Sequence, residues 1–139
     1  MTTELSEGPV PGVELEVAWL RQPGSPLPFE VDLVRVARHT TLVILRGEVD
    51  THTAPRFRDA VLAALDQGAR AIVIDLGAVS LIDGTGLGVI VLAARRLGLG
   101  AVAVVLPRRG LVRIFRTCGL DRLLEIHDTR EQALRGLLR

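Results

Sequence analysis

A carboxylate, a hydroxyl and three glycines fall together at Asp83-Gly84-Thr85-Gly86-Leu87-Gly88, directly ahead of the apolar run Val89-Ile90-Val91-Leu92. If that run is a helix, Thr85 stands at its mouth, where four backbone N–H groups lack intrahelical partners and the macrodipole leaves about half a positive charge. A phosphate on Thr85 is tolerated there. It adds roughly 1.5 to 2 negative charges and three acceptor oxygens, and at an effective dielectric near 20 a like charge about 4 Å away feels several kcal/mol of repulsion. Because about 1.4 kcal/mol is a tenfold change in affinity, modifying this one hydroxyl can switch a partner off without unfolding the chain. The plainer reading has Asp83 and Thr85 do no more than cap the helix. The residues alone leave both open.

Other chemistries fit less well. Gly84-Thr85-Gly86-Leu87-Gly88 nearly spells a dinucleotide loop, but Val89 stands where the third glycine belongs and no acid occurs between Gly84 and Leu120 to hold a ribose. The preceding apolar strand also reads as ending about eight residues before the glycines, too far for that motif. A phosphate-cradling Walker loop and an aspartyl-phosphate site both require a lysine, and the chain has none: all seventeen basic residues are arginine. Ser6, Ser25 and Ser80 lack a nucleophile-elbow context, and His39, His52 and His127 have neither metal-ligand spacing nor a sequence link to Cys118. The histidines read as exposed or turn-bonded residues, and Cys118 as a small buried apolar one. No catalytic residue, metal site or cofactor is expected.

The surrounding chain must position this segment. Its 139 residues are 48% hydrophobic and 24% charged, which is ordinary for one globular domain with one core. Aromatics are only 3%, so the stacking platforms of single-strand nucleic-acid binders are missing. The net charge of +1 hides an asymmetry: residues 1–34 hold six acids and one arginine, residues 35–139 ten acids and sixteen arginines. One cysteine excludes an internal disulfide and suits a reducing compartment. No signal peptide opens the chain, and the apolar runs Gly84 to Ala94 and Leu97 to Leu106 are too short to span a bilayer and are split by Arg95-Arg96, so a cytoplasmic, membrane-free protein is expected.

Residues 1–28 carry five prolines with several glycines and acids, the composition of a flexible tail. Within it Val13-Glu14-Leu15-Glu16-Val17 alternates like a short strand and Trp19 is the sole tryptophan, so the segment has the means to dock. From Phe29 onward a hairpin is expected, its second strand closed by Gly47. Thr53-Ala54-Pro55 supplies a cap hydroxyl and a first-turn proline for a helix that Gly68 stops. Ala71 to Leu76 and Ala101 to Leu106 read as buried parallel strands, with a helix from about Thr85 to Leu97 between them. Arg108-Arg109 opens a helix that Gly119 ends, Leu123 to Ile126 reads as a short strand, and Thr129 with Gln132 has capping-box spacing for the last helix. The order β-β-α-β-α-β-α-β-α predicts an α/β fold: a single layer of mostly parallel β-sheet starting with an antiparallel hairpin, with helices packed on it.

On that framework the motif resembles the STAS domain of bacterial anti-sigma factor antagonists. Small members carry a phosphorylatable serine or threonine in an Asp-Ser-Ser/Thr-Gly-Leu-Gly segment opening a helix, matched here by Ile82 to Val89. Arg46-Gly47-Glu48-Val49-Asp50-Thr51 resembles the family's Gly-Glu-Leu-Asp segment closing the second strand. Phe115 to Leu120 is similar to its Gly-Leu helix ending, and Glu131 to Leu134 to its last helix. The resemblance spans about Phe29 to Arg139, so residues 29–139 are expected to form a STAS domain behind the 1–28 tail. It implies a non-enzymatic switch. The unmodified protein binds an anti-sigma factor that is a serine/threonine kinase, sigma factor is released, and phosphorylation of Thr85 ends the binding. Glu48, Asp50, Thr51, Asp83, Gly84, Gly86 and Leu87 are the partner-binding residues by this resemblance, which also allows a PP2C-type phosphatase as a second partner and a weak homodimer. Gly84 and Thr85 depart from the family's usual serines. The alternative is a STAS scaffold of a stress-signalling complex that is not switched by phosphate. Nucleic acid is not an expected partner: Arg95, Arg96, Arg108, Arg109, Arg113 and Arg116 read as a solvated basic face.

Overall fold

The computed structural model describes residues 29–98 and 100–137. The elements run β1 (Phe29–Ala37), β2 (Thr40–Val49), α1 (Ala54–Asp66), β3 (Ala71–Ile82), α2 (Gly84–Leu97), β4 (Val102–Val105), α3 (Arg109–Thr117), a 3₁₀ turn (Leu120–Arg122), β5 (Glu125–His127) and α4 (Arg130–Leu137). They form one five-stranded sheet in the order β1-β2-β3-β4-β5, with β1 antiparallel to β2 and every other pair parallel. The expected order and sheet are therefore present. The Val13–Val17 alternation, Trp19 and the proposed tail lie outside the described residues.

Alternation sorts the side chains onto two faces. Val31 and Leu33 on β1, Val43 and Leu45 on β2, Ile72 and Ile74 on β3, and Val102 and Val104 on β4 join the apolar stripes of α1, α2 and α3 in the larger core. Leu42, Ile44, Val73, Ala103 and Val105 face the other way and pack with Ala133 of α4. Because both faces of the central strands are covered, β2 is buried without interruption from Thr40 to Leu45, as parallel sheets require.

Three expected boundaries move, each for a local reason. Gly47 does not end β2. It adopts a positive φ of 102° within an irregular stretch of the β2–β3 register, and the strand continues to Val49, a bulge that glycine alone adopts without steric cost. β3 likewise passes Leu76 and runs to Ile82, because the Asp75 carboxylate accepts from Gly77 N at 2.8 Å and carries the chain through a bend in the ladder. The strand thus ends directly at Asp83, and separation from the glycines no longer counts against a nucleotide loop. The missing third glycine and ribose acid still do. Finally, β5 starts at Glu125 instead of Leu123, since the 3₁₀ turn turns Leu120 and Leu124 into the core.

α4 is fixed at both ends of its first turn. Thr129 Oγ1 accepts from Gln132 N at 3.2 Å while Gln132 Oε1 accepts from Asp128 N at 3.1 Å, close to the expected capping box. Arg130 Nε donates to Asp75 on β3. No helix among the described residues is long and apolar enough to cross a membrane.

Candidate functional site

The C-terminal ends of β2 and β3 lie side by side, with Glu48 beside Leu81 and Val49 beside Ile82. Asp83 follows in extended conformation and caps α2: its Oδ1 accepts from Thr85 N at 3.0 Å and Gly86 N at 3.2 Å. The Thr85 hydroxyl donates to the same oxygen at 2.5 Å, within the short range of charge-assisted O–H···O⁻ bonds. Asp83 N donates to Val49 O at 3.0 Å, so one residue joins both strand ends to the helix. The Thr85 hydroxyl, and after it the N–H groups of Gly86, Thr85 and Thr51, hold the Asp83 carboxyl below its ordinary range against an opposing effect of burial.

A carboxyl depressed in the fold stabilises it fully above its unfolded pKa, about 3.9, and loses that contribution as pH falls through the folded value. Asparagine also caps well but carries no charge. Asp83→Asn is therefore expected to cost a few tenths to about 1 kcal/mol at neutral pH, a value kept small by solvent screening. Urea titrations of both proteins should show the gap closing below about pH 4; a constant gap would mean that the charge contributes nothing.

The glycines divide by role. None of Gly84, Gly86 and Gly88 has a positive φ, so the motif is not a strained anion-cradling turn. Gly84 and Gly88 are exposed, and a Cβ on either meets nothing within 4 Å. Gly86 is buried, and a Cβ there would lie 2.7 Å from both Ile82 Cγ1 and Val49 Cγ1. Its missing side chain lets α2 seat against the two strand ends. Position 84, where the resemblance implies serine, has room for one.

The neighbouring turn is also hydrogen-bonded throughout. Asp50 Oδ1 accepts from His52 N at 2.9 Å and Thr53 N at 3.0 Å, while Thr53 Oγ1 donates to Glu48 O at 2.7 Å and accepts from Asp50 N at 3.0 Å. The Thr53 hydroxyl therefore ties down the turn and not α1, contrary to the expected helix cap; the first N–H groups of the helix find backbone carbonyls instead, Ala54 N donating to Asp50 O at 2.7 Å and Arg56 N to Thr53 O at 3.0 Å. Burial depresses the Arg56 guanidinium, and the nearby Asp50 charge pulls it back up. Asp50 is thus committed to the turn, whereas the Glu48 carboxylate, half-buried, makes no hydrogen bond or ion pair among the described residues.

Thr85, Gly84 and Thr51 are exposed, Leu87 is half-buried against the core and Gly86 is interior. Leu81, 44% exposed, adds an apolar residue to the rim. It is absent from the sequence-based set, although alternation back from Ile82 places it outward once β3 is extended. Elsewhere, His39 and His52 are exposed, and His127 sits 3.1 Å from Glu125. Cys118 is exposed, not buried: the chain turns at Gly119, with φ 75°, and Leu120 takes the interior place. Among the described residues no group of three or more His, Cys, Asp or Glu is placed to hold a metal ion.

Comparison with known proteins points in one direction. The model of the STAS domain matches residues 32–133. The anti-sigma-F factor antagonist RsfB of Mycobacterium tuberculosis is 29% identical over 107 residues, covering 75% of this chain and 88% of that protein. An anti-sigma-B factor antagonist of Listeria monocytogenes is 35% identical over 88 residues, covering 62% and 77% respectively. The crystal structure of an anti-sigma factor antagonist from Mycobacterium paratuberculosis superposes with a TM-score of 0.67 at 26% identity, over 85% of this chain and 98% of that one.

Proposed function

We propose a function from one premise: the chain belongs to the STAS domain family. It is an anti-sigma factor antagonist, the role named for its relatives, and a binding protein, not an enzyme. With Thr85 unmodified it binds an anti-sigma factor that is a serine/threonine kinase and so frees sigma factor. With Thr85 phosphorylated it lets go.

The observation that supports this is the exposed Thr85 hydroxyl held 2.5 Å from the Asp83 carboxylate at the mouth of α2. Phosphorylation removes the donor from that bond and sets a dianion beside an anion. Retreat into the helix mouth is closed, because Asp83 already occupies the Thr85 and Gly86 N–H groups. The phosphate therefore projects outward into the rim formed by Glu48, Thr51, Leu81 and Gly84, where a docking partner meets charge and bulk together. Glu48, Thr51, Asp83, Gly84 and Leu87 form the contact surface in this reading, while Asp50 and Gly86 keep it in shape. A PP2C-type phosphatase resets the switch in the cytoplasm.

Incubation with ATP and the anti-sigma factor kinase should add one phosphoryl mass to the wild type and none to Thr85→Ala. Thr85→Glu should bind the kinase at least tenfold more weakly than Thr85→Ala, about 1.4 kcal/mol. A mass shift retained in Thr85→Ala removes Thr85 from the reading. Equal binding of the two variants leaves an unswitched scaffold.

A further inference from the structure

We propose that the acidic segment Val13–Leu20 of this chain docks in the basic groove beside α3. Arg109, Arg113 and Arg116 recur at helical spacing along one side of α3 and flank a groove of about 700 Å³ floored by Leu106, Pro107 and Val112, with Asp128 on its rim. All three arginines are exposed, and none makes a side-chain hydrogen bond or ion pair among the described residues. An apolar floor under unmatched positive charge suits a strip that is apolar on one side and acidic on the other. Val13-Glu14-Leu15-Glu16-Val17 is such a strip: residues 1–20 contain Glu4, Glu7, Glu14 and Glu16 and no basic side chain.

The spacings agree. In an extended segment Glu14 and Glu16 stand about 7 Å apart on one side, and Arg109 and Arg113 are separated by about 6 Å along the helix. Reach is sufficient as well. Phe29 pairs with Gly47, which lies beside Val79 of β3, whereas β4 ends beside Asp75, four residues back along the strands; three strand spacings across and about 13 Å along make roughly 20 Å from Phe29 to the end of β4. Residues 21–28, with Pro23, Pro26 and Pro28, span about 25 Å when extended. Tethering supplies a local concentration of about millimolar, so modest charge pairing holds the segment.

Trp19 is the only tryptophan and the chain has no tyrosine, so its emission reports on the segment alone. In the folded full-length protein that emission should lie to the blue of the same chain in denaturant. Arg109→Glu/Arg113→Glu/Arg116→Glu should shift it red while circular dichroism and the thermal midpoint hold, and Glu14→Arg/Glu16→Arg should do the same without touching the folded body. Combining the two sets should restore the blue emission, whereas about 1 M salt, with a Debye length near 3 Å, should abolish it in the wild type. Red emission in the unaltered protein, or blue emission indifferent to both reversals, overturns the proposal.

Discussion

Gly86→Ala lowers the stability of the fold by about 1–3 kcal/mol, even though alanine is the better helix former by about 1 kcal/mol. The added methyl would sit 2.7 Å from Val49 and Ile82, whose side chains are 0% and 5% exposed and hemmed in by the core. Neither has room to retreat, so α2 must lift at its N-terminus, taking Thr85 with it. The change is read from a urea or thermal unfolding curve, with about 4 °C or more lost in Tm per kcal/mol. Gly84→Ala and Gly88→Ala are the controls. Each meets open space and should be neutral or stabilising by up to about 1 kcal/mol. If all three variants behave alike, the close seating of α2 is not what position 86 provides.

Removal of Arg130 should cost more than neutralising its partner. Asp75 is 7% exposed on the face of the sheet under α4, receiving Gly77 N–H on one oxygen and the Arg130 guanidinium on the other. Arg130→Met leaves a buried carboxylate with one donor, expected to cost about 2–4 kcal/mol, below the full range for sealed pairs because the arginine side is open to water. Asp75→Asn still accepts from Gly77, and the arginine re-solvates, so about 1 kcal/mol is expected. α4 spans only Arg130–Leu137, too short to persist alone. Amide exchange should therefore accelerate across the whole helix in Arg130→Met. Equal losses in the two variants would show that the buried carboxylate needs no cation.

Elements with strong local signals are legible in the sequence itself. Thr129 and Gln132 marked the start of α4, and Asp83 with Thr85 marked that of α2, because capping involves side chains a few residues apart. The long strands were not. β3 reads as finished at Leu76 because Gly77, Ala78 and Ser80 break the apolar run, yet ladder pairing with Arg46 to Val49 carries it on, and pairing across such a distance leaves no trace in a local window. The same blindness hid Leu81 and gave no sign that Asp75, an acid inside a run read as buried strand, meets Arg130 from 55 residues away. Thr53 had the right residue type for a helix cap, but the carbonyl of Glu48 competes for its hydroxyl, and that competitor appears only once β2 and the turn are folded. The hydrogen-bonded pair of Thr85 and Asp83 is readable in the sequence, whereas the division of labour between committed Asp50 and uncommitted Glu48 is not.

β5 contributes only Glu125 to His127 to the sheet. The outer border of a parallel sheet is where a stray strand could add itself and begin a fibril, and a rung count this small gives an incoming chain little to zip onto. The fold can thus leave Leu81 exposed at one end of the sheet while its β5 flank remains a poor template for self-propagation.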